Sequence, residues 1–86
     1  MNFFKNLLFR KNNQPADFNL YYRKLCHDCD SVKEFMEKNK LSFDYIDCEG
    51  KDSHPPVPIM ATPALFVKGE LVAYGTDIIH YLEKSQ

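Results

Sequence analysis

Cys26-His27-Asp28-Cys29 is the stretch of this 86-residue chain best equipped for chemistry. Two cysteines separated by two residues can exchange with an external disulfide when they occupy the first turn of a helix. Helical geometry brings the sulfurs close, and unpaired N–H groups at the helix start favour a thiolate on the first. Cys26 is then the exposed nucleophile, and Cys29, one turn further in, is the thiol that releases the mixed disulfide. The same spacing is half of a zinc site. With Cys48 and His54 the chain has four ligands of suitable type, so a zinc or iron–sulfur site is the alternative use of these residues, and a pair of inert buried thiols is a third. A protonated His27 would stabilise a Cys26 thiolate, while Asp28 and Asp30 would oppose it. Arg23 and Lys24 return positive charge on the approach side.

The flanking residues supply the elements such a pair needs. Phe18 to Tyr22 is an apolar, aromatic run that reads as a strand leading into the cysteines. From His27 to about Lys40, Cys29, Val32, Phe35 and Met36 fall on one helical face, with Asp28 and Asp30 suited to the first turn. Leu41 to Asp47 alternates and predicts a second strand, parallel to the first through a right-handed crossover. Pro55, Pro56 and Pro58 deny the following stretch, 48–61, a helix of any length. Pro63 to Val67 predicts a third strand, Lys68-Gly69 a two-residue turn, and Leu71 to Tyr74 the antiparallel return. Thr76 suits the cap of a final helix reaching about Lys84, with Ile78, Ile79 and Leu82 as its buried stripe. Proline entering a strand is often an ordinary edge residue, and a cis bond is uncommon even before proline.

Composition narrows the class. Hydrophobic residues make up 44% of the chain, with seven Phe and five Tyr, enough for one compact domain without structural metal. A net charge of −1 argues against nucleic acid as a partner, which would call for a basic stripe. Three cysteines, two of them too close in sequence to staple a fold, point to a reducing compartment. No apolar run reaches the ~20 residues of a membrane span. The first residues lack a small-residue cleavage site, and Lys5 and Asn6 interrupt their apolar stretch, so a cytoplasmic protein is expected. Residues 1–17 read as an N-terminal arm or short amphipathic helix with a linker, and residues 18–86 as the domain. Phe3, Phe4, Leu7 and Leu8 with Lys5, Arg10 and Lys11 leave weak peripheral membrane contact through residues 1–11 as the sharper alternative to an arm packed on the domain.

The order and spacing of these motifs resemble a glutaredoxin. The resemblance rests on Tyr21 and the Cys26–Cys29 pair on a strand-to-helix junction, Thr62-Pro63 opening the third strand, and Gly75-Thr76-Asp77 before the last helix. The stretch from Pro63 to Leu82 is also similar to the N-terminal domain of glutathione S-transferases. The resemblance covers residues 18–84. It implies an α/β thioredoxin-like fold, β-α-β–loop–β-β-α with a four-stranded mixed sheet, and a monomer. It implies a thiol–disulfide oxidoreductase in which Cys26 attacks a protein or glutathione mixed disulfide and Cys29 resolves it. No tightly bound cofactor is implied. It implies glutathione as co-substrate, disulfide-containing proteins as partners, and glutathione or a thioredoxin-reductase-type donor to return the electrons.

The same resemblance places Arg23 near the sulfur and a glutathione carboxylate. It makes Pro63 the cis-proline, lets the Thr62 backbone pair with a peptide-like substrate, and puts Thr76 and Asp77 at the γ-glutamyl end of glutathione. Three departures stand out. Cys-His-Asp-Cys replaces the family's usual Cys-Pro-Tyr-Cys, Tyr74 stands where a glycine is common and would crowd the glutathione site, and the proline-bearing loop replaces most of the second helix. The rival to catalysis is a non-catalytic carrier or adaptor that uses the fold to hold metal, an iron–sulfur cluster or a partner protein.

Overall fold

The computed structural model describes residues 17–51 and 53–85. The arm and the membrane contact expected of the N-terminal segment therefore lie outside the described residues. The chain runs β1 (Phe18–Tyr22), α1 (His27–Lys38), β2 (Phe43–Asp47), β3 (Ala64–Val67), β4 (Glu70–Tyr74) and α2 (Asp77–Ser85). The strands form one mixed sheet in the order β2-β1-β3-β4. β1 and β2 are parallel, as a strand–helix–strand unit of this length requires, and β3 is antiparallel to β1 and β4. This is the α/β architecture expected from the sequence.

Alternation along the strands divides the core into two layers. Leu20 and Leu65, which face each other across β1 and β3, point to the helices and pack with Val32, Met36, Ile78 and Leu82. Their neighbours Tyr21, Ala64 and Phe66 point to the opposite face, where the Tyr21 and Phe66 rings meet edge to face at 5.2 Å. No helix forms among the described residues of the 48–62 stretch, which carries the prolines. Cys48 and Ile59 of that stretch pack on this second layer instead.

Element ends differ from the sequence reading by one or two residues, each for a local reason. α1 stops at Lys38, short of Lys40, because Lys40 takes a left-handed φ of 57°. The Leu41 N–H then reaches the Met36 carbonyl and the Lys40 N–H the Glu37 carbonyl, both at 3.0 Å, a complete Schellman close. That bond holds Leu41, so β2 begins at Phe43. β3 begins at Ala64, after the proline that has no N–H to give the ladder. Lys68 and Gly69 both have positive φ, 51° and 86°, the backbone that a two-residue hairpin turn needs.

Candidate active site

The β1–α1 junction sets the dithiol. Leu25, the last residue before the cysteines, turns the chain through a left-handed φ of 58°. A non-glycine residue adopts that conformation at a cost of roughly 1–3 kcal/mol. Its side chain is wholly exposed. Cys26 is the N-cap of α1: its backbone is extended, and its Sγ accepts the Cys29 N–H at 3.1 Å. The Asp30 N–H closes the first turn on the Cys26 carbonyl at 3.2 Å. Cys26 and Cys29 are joined as a disulfide, with their Cα atoms 5.2 Å apart. The two sulfurs differ in access, since Cys26 is half-buried whereas Cys29 is 0% exposed. When the pair is reduced, the N–H that meets Cys26 and the helix start behind it favour a thiolate there.

The strand across the sheet brings a second wall. The Thr62–Pro63 peptide bond is cis, and Pro63 is fully buried at the head of β3. Cys26 Sγ lies 3.8 Å from Thr62 Oγ1 and 3.9 Å from the Thr62 carbonyl oxygen. Thr62 therefore lines one side of the Cys26 sulfur. The Pro63 carbonyl accepts the Gly75 N–H at 2.8 Å, which ties this strand to the approach to α2.

The remaining sequence candidates spread around this centre. His27 is the exposed first residue of α1. Thr76 and Asp77 are exposed at the start of α2, whose first turn closes through Ile78 N–H to the Gly75 carbonyl and Ile79 N–H to the Thr76 carbonyl. Arg23 faces Glu49, with Nε 3.8 Å from Oε2. Glu49 is held in turn, because its N–H donates to Asp47 Oδ1 and the Cys48 N–H donates to the Tyr22 carbonyl, both at 2.9 Å. Among the described residues no group of three or more His, Cys, Asp or Glu side chains is arranged to hold a metal ion.

Tyr74 makes a contact across the fold that the sequence did not suggest. Its hydroxyl accepts the Met60 N–H at 3.2 Å, and its ring packs on the Tyr21, Ala64 and Phe66 layer. The sequence reading also left Glu49 and Met60 out, and the only signal for either was a charge or an apolar side chain in an irregular stretch. β2 adds an aromatic edge to the same side of the sheet as α1. Tyr45 stacks on Tyr22 at 3.9 Å and carries the Lys33 ammonium 4.9 Å above its ring.

No family model matches this sequence, and no curated protein matches it. Solved structures do. Glutaredoxin C1 from Populus tremula x tremuloides, in its holo form, superposes with a TM-score of 0.64 at 14% identity, over 80% of this chain and 76% of that one. The thioredoxin-like protein BC3987 gives 0.61 at 24% identity, over 80% and 99%. Glutaredoxin 1 from Francisella tularensis, complexed with cacodylate, gives 0.57 at 22%, over 79% and 93%. The chain has the thioredoxin fold of glutaredoxins. In that fold the described residues place a cysteine pair at the start of the first helix and a cis-proline opposite it. Among the described residues no helix is long and apolar enough to cross a membrane.

Proposed function

We propose that this chain is a small dithiol–disulfide oxidoreductase of glutaredoxin type, working on protein or glutathione mixed disulfides. One observation carries the reading: Cys26 is partly exposed and its capping sulfur holds a backbone N–H, while its partner Cys29 is enclosed one turn below. An accessible nucleophile with a shielded resolving thiol is what two-step exchange requires.

In the first step the Cys26 thiolate attacks one sulfur of the substrate disulfide. A Cys26–substrate disulfide forms, and the other substrate sulfur leaves as a thiolate that takes up a proton. In the second step Cys29, deprotonated, attacks the Cys26 sulfur. The Cys26–Cys29 bond closes and the second substrate thiol is released. Two electrons pass from the dithiol to the substrate. Two molecules of glutathione, or a reductase of the thioredoxin-reductase class, return them. The Cys29 N–H that meets Cys26 Sγ lowers the cost of the thiolate at the start of each cycle, and the nearby Thr62 backbone lines the path of the attached group.

Arg23, His27, Thr76 and Asp77 are proposed as contacts to the substrate beyond the sulfur, in a cytoplasmic, monomeric protein. Reduction of a glutathionylated peptide tests the reading. Cys26→Ser should abolish the activity, and full activity in that variant would reject it.

A further inference from the structure

Consecutive residues at the end of β4 grip the loop that faces the dithiol at two points. The Tyr74 hydroxyl accepts the Met60 N–H at 3.2 Å, and the Gly75 N–H donates to the Pro63 carbonyl at 2.8 Å. Thr62, whose backbone and hydroxyl lie within 3.9 Å of Cys26 Sγ, sits between those two points. Apart from Ile59, which packs on the Tyr21–Ala64–Phe66 layer, little else among the described residues holds the stretch that leads to it. From His54 to Ala61 the described residues make no backbone–backbone hydrogen bond, since the last one before the loop joins Ser53 to Gly50. The Met60 side chain is 80% exposed, so apolar burial does not anchor that residue. Tyr74 itself is well placed to act as an anchor. It pairs with Ala64 across the sheet, its ring packs in the Tyr21–Ala64–Phe66 layer, and Gly75 turns the chain directly after it with a φ of 60°.

We infer that the Tyr74 hydroxyl is a positioning group for substrate, holding Met60, and through it the Thr62 backbone, where a peptide joined to Cys26 has to run. The inference rests on the oxidoreductase reading above and sharpens its substrate class. Disulfides embedded in an extended peptide use the clamped backbone, while a small disulfide that touches only the sulfur does not.

The test is Tyr74→Phe, which keeps the ring in its layer and removes only the acceptor. Wild-type and variant are compared on a disulfide within a peptide of about six residues and on bis(2-hydroxyethyl) disulfide. The expected result is a rise in KM for the peptide of about three- to tenfold, the range of one net hydrogen bond, with kcat kept. The rate on the small disulfide should stay within about twofold. Met60→Pro, which removes the donor, should give the same selective loss, and the double variant should be no worse than either single change. Hydrogen exchange gives a readout independent of turnover: the Met60 amide of Tyr74→Phe should exchange faster, and the Gly75 amide should not.

Equal kinetics on the peptide in wild-type and variant, or an equal loss on both substrates, would overturn the inference and leave the oxidoreductase reading standing. An unchanged Met60 exchange rate would overturn it in the same way. A wild-type chain that reduces neither disulfide would remove the reading and this inference with it.

Discussion

In the fully reduced protein the three cysteines should react with iodoacetamide in a fixed order: Cys26 first, Cys48 next, Cys29 last. Cys29 is 0% exposed beneath the first turn of α1, so its alkylation requires that turn to open. Bringing an apolar side chain of this size back into water costs about 1.5–2 kcal/mol. At 1.4 kcal/mol per tenfold this slows Cys29 roughly 10- to 30-fold. Ionisation widens the gap. Cys26 Sγ accepts the Cys29 N–H at 3.1 Å, and a hydrogen bond to a charged group contributes about 1.5–3 kcal/mol, all of it favouring a thiolate at Cys26. Roughly another tenfold or more follows, for a Cys26-to-Cys29 ratio on the order of 100 to 1000. Cys48, free and half-buried, serves as the internal reference between the two. Pulse labelling at pH 7 under excess dithiothreitol, quench, and peptide mapping by mass spectrometry measures all three rates in one sample. Comparable rates for Cys26 and Cys29, or Cys29 ahead of Cys48, would refute the assignment of nucleophile and resolving thiol.

Glu49→Gln frees Arg23 from a pair whose side chains are 44% and 64% exposed, so the stability change should stay below about 0.5 kcal/mol. Removing the negative charge that faces Arg23 should raise kcat/KM for anionic glutathione disulfide about twofold in dilute buffer, and not at all in 1 M salt; no change in dilute buffer would count against that electrostatic role. Burial raises the pKa of Tyr21 above the ordinary 10.0, and burial, then Asp30, Tyr22 and Glu37, raise that of Tyr45. The folded chain therefore holds these phenol protons more tightly than the unfolded one. The resulting stability is intact below pH 10 and is lost as pH climbs through the raised folded values. Denaturation midpoints followed from pH 8 to 11 with tyrosinate absorbance should fall only above pH 10, and all five tyrosines ionising at the ordinary value in the folded state would contradict this. Leu65→Ala, at the fully buried centre of the helical layer, should cost about 2–5 kcal/mol in chemical denaturation, and a cost under about 1 kcal/mol would mean that layer is not the core.

Features set by residues near one another in the chain were legible in the sequence. The apolar run before Cys26 and the spacing of Cys29, Val32 and Met36 after it state a strand and a helix. The alternation from Phe43 and the Lys68-Gly69 turn state the strands that complete the sheet. Even the end of α1 at Asn39 is local, but it uses a lysine in the left-handed position that glycine usually marks, so periodicity alone ran two residues too far. The contacts that define the surroundings of the site join distant segments: Thr62 to Cys26 across 36 residues, Arg23 to Glu49 across 26, Tyr74 to Met60 across 14. The glutaredoxin resemblance set Thr62 beside the dithiol, but residue types gave no sign of the other two pairings. Tyr74 is the clearest case, since the sequence marks only a ring in a place where glycine is common, and the fold adds a hydroxyl bonded to the Met60 N–H of the loop.

In the proposed cycle Cys26 takes the substrate sulfur and Cys29 releases it. This is tested most directly with Cys29→Ser and an aromatic disulfide whose thiolate is coloured. One equivalent of thiolate should appear, and the second half should remain on Cys26 as found by peptide mapping. The reduced wild-type chain should release two equivalents, and Cys26→Ser none at a comparable rate. A first adduct on Cys48 in place of Cys26, or thiolate release by Cys26→Ser at the wild-type rate, would contradict these roles.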